Sequence, residues 1–276
     1  MHVRVYTGHD PVHNMVLRAF FDGCKAKEKH LVPFEEYQPS DVAVVFGTFK
    51  KDIPASWRRG VVIEEQKKRK KPVVILDSGY VKRGSGVNAY YACGLNGLNG
   101  HADFKNKNMP PDRWQALGVP LLPWRKTGSH VVLCGQVPWD ASVQHIDMIA
   151  WLHETAKLIR QNTDREIVYR PHPLAVKQSP ARLPGCRTSV VALKEDLNNA
   201  WAVVTYNSNT GVDAILHGIP NFCLGTGSMT YGVSSRDLGL LERPFLPPHR
   251  EQWAYNLAFT QWRPDEMAAA WEHLFS

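Results

Sequence analysis

The chain has 276 residues, 43% of them hydrophobic and 21% charged, and carries a formal charge of +7. These figures describe a globular protein with a core of its own and exclude a disordered, collagen-like or membrane-spanning chain. Five scattered cysteines (Cys24, Cys93, Cys134, Cys186 and Cys223) form no CxxC pair, which favours reduced cytoplasmic thiols over a disulfide framework or a zinc site.

The opening MHVRVYTGHD holds no apolar signal segment. HVRVYT alternates in polarity as a strand does, and PVHNMVLRAFFDGC repeats its apolar residues at helical spacing. DVAVVFG and PVVILD are β-branched runs of the kind a parallel sheet buries on both faces, with a basic helical stretch between them. YYACGLNGLNGHADFKNKN reads as a long Gly- and Asn-rich loop whose tyrosines and basic residues suit holding an acceptor; GVPLLPWRKTGS reads as a linker. HVVLCGQ opens a second series: the amphipathic helix VQHIDMIAWLHETAKLIRQN, the strand EIVY ending in RPHP, and a helix at LKEDLNNA. A strand at WAVVTYN, a helix from about Thr210 and a strand at PNFCLG follow. QWRPDEMAAAWEHLF is expected as a helix with Asp265 and Glu266 in its first turn, where the dipole favours acids. Strands alternating with helices in two blocks predict two doubly wound, Rossmann-like α/β domains. Their expected bounds are residues 1–126 and 127–250, with residues 251–276 packing back on the first.

The charge is one-sided. Up to Lys126 there are 21 Lys and Arg against 12 Asp and Glu, a surplus of nine; beyond it, 12 stand against 14. A basic half suits an anionic partner if the charges share a face, although EEQKKRKK alone also reads as a solvated helix face.

In YRPHPLAV, two prolines around His172 stop a strand and leave an imidazole and the Arg170 guanidinium at its carboxyl end, where doubly wound sheets bind ligands. After WAVVTYN, the run Ser208-Asn209-Thr210-Gly211 offers hydroxyls, backbone N–H groups at a helix start and a glycine for close approach. On adjacent strands, the two loops together describe a diphosphate or nucleotide pocket. The alternative is that Ser208 and Thr210 cap a helix and His172 is structural.

The series RPHP … NSNTGVDAILHGIP resembles the HP and Ser/Thr motifs of bacterial sialyltransferases and capsule-polysaccharide (Kdo-type) transferases. These are glycosyltransferases of the GT-B architecture, with two domains facing across a cleft. The resemblance implies that His172, Ser208 and Thr210 hold the phosphate of a nucleotide sugar, with Arg170 beside them; Asn209 and Gly211, from the reading of the run itself, complete the expected donor site. LCGQVPWDASV resembles the segment opening the capsule-type donor domain, which implies places near the cleft for Gln136 and Asp140. ILDSGY resembles the acidic-Gly motif of the sialyltransferases, implying Asp77 as catalytic base, with Ser78 where their second acid stands.

Sugar transfer needs a base for the acceptor proton and a cationic site for the leaving phosphate. Asp77 is the expected base and His9 and Asp10 the alternatives, against readings of each as a turn or cap residue. No metal is expected: no DxD pair stands out, and the resemblance to GT-B enzymes implies a diphosphate bound without one; a UDP-sugar is the expected donor. The basic half suits double-stranded DNA, and the phage enzymes that glucosylate 5-hydroxymethylpyrimidines share the GT-B plan. On that reading Arg58, Arg59, Lys67, Lys68, Lys82 and Arg83 contact DNA phosphates. The alternatives are a capsule- or lipopolysaccharide-type glycan acceptor, a nucleotide-sugar epimerase, or a non-catalytic nucleotide- or DNA-binding protein.

Overall fold

The computed structural model describes residues 1–34, 36–50 and 56–276. The chain divides into two compact units: residues 1–118 joined by 254–276, and residues 119–253. The boundary falls ahead of the expected Lys126. The backbone amides of Leu122 and Arg125 donate to the carbonyls of Leu216 and Gly218, so the stretch expected as a linker belongs to the second unit.

The first unit contains β1 (His2–Thr7), α1 (Pro11–Gly23), β2 (Glu28–Pro33), β3 (Val42–Phe46), α2 (Trp57–Lys68), β4 (Val73–Ser78), β5 (Tyr91–Leu95) and α3 (Asp112–Leu117). Asp10 caps α1 by accepting from the Val12 and His13 amides, and Pro11 pre-sets the first helical φ. The basic last turn of α2, with Lys67 and Lys68, sits where the helix dipole favours cations.

The second unit holds β6 (His130–Cys134), α4 (Met148–Asn162), β7 (Glu166–Arg170), β8 (Cys186–Thr188), α5 (Leu193–Leu197), β9 (Ala200–Thr205), α6 (Thr210–Leu216) and β10 (Asn221–Cys223). The chain then returns through α7 (Arg250–Ala258) to β11 (Gln261–Trp262) and α8 (Met267–Phe275).

The first sheet runs β11-β5-β4-β3-β1-β2, parallel from β2 to β4 and antiparallel at β5 and β11. Every residue of β3 is buried, as a strand covered on both faces must be. On one face Val16, Leu17 and Phe20 of α1 join Trp271 and Leu274 of α8 over Val3, Val5 and Val44. On the other, Val62 of α2 packs with Tyr6, Val45 and Ile75.

The second sheet, β10-β9-β6-β7-β8, is wholly parallel. Met148, Leu152 and Ile159 of α4 cover one face against Val131, Leu133 and Ile167; Leu197, Ala214 and Ile219 cover the other against Val132 and Val203. Its order reverses between β6 and β9, and that of the first sheet reverses between β1 and β3. Such switch points leave a crevice beyond the strand carboxyl ends.

Four short strands were not expected from the sequence: β2, β5, β8 and β11, the last at Gln261–Trp262, where a helix was expected and the chain instead pairs antiparallel with β5. The region taken as a long acceptor-holding loop begins with β5, and Tyr91 is 2% exposed within it. Asp265 and Glu266 lie in a 3-10 turn ahead of α8, where Glu266 pairs with Arg113 at 3.0 Å. Among the described residues, no helix is long and apolar enough to cross a membrane.

Candidate functional site

In the second unit three loops are tied together beyond the strand ends. After β6, the Gly135 amide donates to the Arg170 carbonyl at 2.8 Å, joining that loop to β7. Gln136, 9% exposed, donates through Nε2 to Asn207 Oδ1 at 2.5 Å and to Ser142 Oγ at 3.2 Å, joining it to the loop after β9. Asp140 accepts from both the amide and the hydroxyl of Ser142 (2.9 and 2.7 Å), and Asn207 Nδ2 donates to the Ser142 carbonyl at 3.0 Å. The Gln136 Oε1 is buried with no hydrogen-bond partner. A buried, unsatisfied acceptor is costly unless a ligand donor meets it.

His172 follows β7 and heads the next 3-10 turn. Its Nδ1 accepts from the Leu174 amide at 3.2 Å, so the neutral ring carries its proton on Nε2. Burial holds the imidazole below its ordinary pKa; Asp140 opposes this and Arg170 reinforces it. The neutral ring therefore presents a single N–H donor. After β9, Ser208 Oγ lies 3.3 Å from both the Thr210 hydroxyl and the Thr210 amide.

Several expectations need correction here. β6 stands between β7 and β9, so the two motif strands are not adjacent; the loop carrying Gln136 bridges them. The amides opening α6 are used internally: Thr210 by Ser208 Oγ, Gly211 by the Ser208 carbonyl and Val212 by the Asn209 carbonyl. A seven-residue helix also has little dipole to offer, so side-chain hydroxyls are the donors at this point. Gly211 serves packing: a Cβ there would sit 2.7 Å from Asn221 Nδ2 and 3.0 Å from Thr230 Oγ1. The Arg170 Nη1 is engaged with the buried Asp196 carboxylate at 2.6 Å, the Val191 carbonyl at 2.7 Å and Ser189 Oγ at 3.3 Å. That guanidinium braces the β7–β8 edge.

The first unit gathers a second cluster. Asp10 is exposed, and its cap bonds, the His13 amide first, hold its carboxyl below the usual range. His9 is exposed beside it. Asp77, partly buried at the end of β4, accepts from the Ser78 amide at 2.7 Å. Burial lowers the pKa of the Arg59 guanidinium, and the charges of Asp77 and then Asp10 oppose that. So Arg59, expected on DNA phosphate, lies within electrostatic reach of both candidate bases. His13 stacks on Phe46 with ring centroids 3.9 Å apart, and its Nδ1 is 4.0 Å from Asp10 Oδ1. Burial keeps its pKa low, Asp10 opposing and Arg59 and Lys50 reinforcing. His13 is thus a neutral imidazole among the candidate bases.

Sequence reasoning missed His13, Ser142 and Asn207. The first lies three residues past a capping Asp, and the others are polar residues on strand-end loops, which is the only signal each gives. The other basic candidates lie on α2 and on the loop after β4. Lys67, Lys82 and Arg83 are exposed, and Lys68 is ion-paired to Glu65 at 2.7 Å. Arg58 lines an apolar cavity of about 230 Å³ with Phe34, Tyr37, Trp57 and Val61.

The chain thus holds two doubly wound, Rossmann-like α/β units, each with polar groups at its switch point. Its fold is similar to two solved structures from Thermosulfurimonas dismutans. One is the KpsC beta Kdo 2,7 transferase, with a TM-score of 0.59, 16% identity and 100% of both chains covered. The other is the KpsC beta Kdo 2,4 transferase, with a TM-score of 0.62, 16% identity, and 92% of this chain and 89% of that one covered. At that identity the likeness is one of fold. No protein-family model matches the chain, and neither does any curated protein sequence.

Proposed function

We propose that the chain is a glycosyltransferase moving a sugar from a nucleotide-sugar donor to a hydroxyl of a glycan, of the capsule or lipopolysaccharide type. The observation that carries this reading is the convergence of Gln136, His172 and Ser208–Thr210 at the second sheet's switch point, with the Gln136 Oε1 buried and unsatisfied. On this reading His172 Nε2–H and the Ser208 and Thr210 hydroxyls donate to the donor phosphate, and Gln136 Oε1 accepts from the ribose or base. The His172, Ser208 and Thr210 donors stabilise the negative charge that grows as the anomeric carbon–phosphate oxygen bond breaks. In the first unit Asp77 or His13 takes the acceptor hydroxyl proton as the new glycosidic bond forms. The two Kdo transferases of like fold favour a glycan acceptor and a Kdo-class sugar.

The test is a transfer assay offering CMP-Kdo and UDP- and GDP-sugars with Kdo-terminated oligosaccharides, read by mass spectrometry. Transfer that disappears in His172→Ala and Asp77→Asn supports the reading. Failure of every donor to bind or react sinks it.

A second reading, transfer to a 5-hydroxymethylpyrimidine in duplex DNA, is favoured by one observation, the surplus of nine positive charges up to Lys126. Duplex DNA carrying 5-hydroxymethylcytosine belongs in the same assay, and a hexose-shifted nucleoside decides for it.

A further inference from the structure

At the amino ends of β1 and β2, opposite the strand ends that carry Asp10 and Asp77, three metal-ligating side chains converge. The parallel register pairs His2 with Glu28 and Arg4 with His30, so His2, Glu28 and His30 stand on one face of the two-strand edge. One ligand atom from each lies within 4.8 Å of the others. Glu28 Oε1 is 3.4 Å from His30 Nε2 and 3.8 Å from His2 Nε2. These spacings approach the roughly 3.3 Å that a tetrahedral centre with bonds of about 2 Å sets between its ligand atoms. The two rings meet edge to face with centroids 5.3 Å apart, close enough for small rotations to aim both at one point.

A second observation comes from His2 alone. Its Nε2 is buried and makes no hydrogen bond, although it is aimed at this cluster. Its backbone amide is fixed by Asp41 Oδ2 at 2.9 Å, and Asp41 is held in turn by Lys71 at 2.9 Å. One ligand is therefore anchored, while Glu28 and His30, with side chains 64% and 50% exposed, are free to close on an ion.

We propose that His2, Glu28 and His30 form a binding site for a divalent transition-metal ion, zinc in the first instance. Two imidazoles and one carboxylate are a donor set suited to Zn2+, and three protein ligands leave a fourth position for water. The ion clasps β2, the edge strand of the first sheet, to β1. It lies at the opposite strand ends from the candidate bases, so its effect is on stability and not on transfer.

Tag-free, metal-stripped full-length protein titrated with ZnCl2 tests the site by calorimetry and thermal melting. One equivalent is expected to bind and to raise Tm by a few degrees. His30→Ala and Glu28→Gln each alter an exposed side chain; each is expected to weaken binding about tenfold or more and to abolish the rise in Tm. Co2+ bound in the same place gives visible bands of a nitrogen–oxygen site with no thiolate charge-transfer band. Binding well below one equivalent, equal affinity in both variants, or a thiolate band pointing to the cysteines would overturn the proposal.

Discussion

The Gln136 side-chain amide donates to Asn207 Oδ1 across 2.5 Å, binding the loop after β6 to the loop after β9 where the order of the second sheet reverses. Both side chains are nearly buried, at 9% and 8% exposure. Gln136→Ala removes this tie and leaves Asn207 Oδ1 with only the 3.4 Å contact from the Ser142 hydroxyl. The expected loss is about 1–2 kcal/mol of stability in urea denaturation, with nucleotide affinity falling about tenfold by calorimetry. Unchanged affinity would remove Gln136 from the binding site.

Arg170 and Asp196 supply a contrasting prediction. The 2.6 Å pair has a carboxylate with a side chain 1% exposed, so Arg170→Ala strands a buried charge. The second unit should lose about 3 kcal/mol, and Arg170→Ala combined with Asp196→Ala should recover part of it. If Arg170 instead serves the donor, the single variant melts normally and loses nucleotide affinity.

Gly211→Ala probes the same region through packing alone. The added methyl meets Asn221 Nδ2 at 2.7 Å, a side chain already held by Thr230 and Ser234 at 2.9 Å. A loss of about 1–3 kcal/mol is expected, which lowers Tm by several degrees. A Tm equal to that of the parent would show that α6 can shift without cost.

Acid should weaken the fold before the carboxylates titrate. Burial lowers the pKa of His13, His172 and His273 in the folded state, so the unfolded chain binds these protons first as pH falls. The stability they contribute is complete above the ordinary histidine pKa of about 6.5 and is lost as pH drops through it toward the folded values. Asp41, held at about 2 by Lys71, adds a separate loss between about pH 4 and 2. Urea midpoints from pH 8 to 5 check the first window. His172→Asn should flatten the curve there, and an identical slope would mean that the ring is not held neutral.

The alternation of strands and helices was legible because both units follow simple periodicities: β3 is wholly buried, and Met148, Leu152, Ala156 and Ile159 form one helical stripe. β2, β5, β8 and β11 were not legible. Glu28–Pro33 buries little, Tyr91–Leu95 contains a glycine among turn-rich neighbours, Cys186–Thr188 is three residues long and Gln261–Trp262 only two. The chemistry of the loops could be read from residue types, which pointed to His172, Ser208 and Thr210 as a group. Their partners could not. Whether Arg170 faces a ligand or Asp196, and whether Gly211 yields to a phosphate or to Asn221, depends on contacts between segments distant in sequence.

The return of residues 254–276 to the first unit affects how the protein is made. Trp262, Trp271 and Leu274 belong to the core around Val3, Phe20 and Val44, so this core lacks a wall until residues 262–274 leave the ribosome. Residues 119–253 are contiguous and have no such wait. Synthesis would therefore complete the later-encoded unit first and hold the earlier one open, with apolar surface for a chaperone to cover, until α8 arrives.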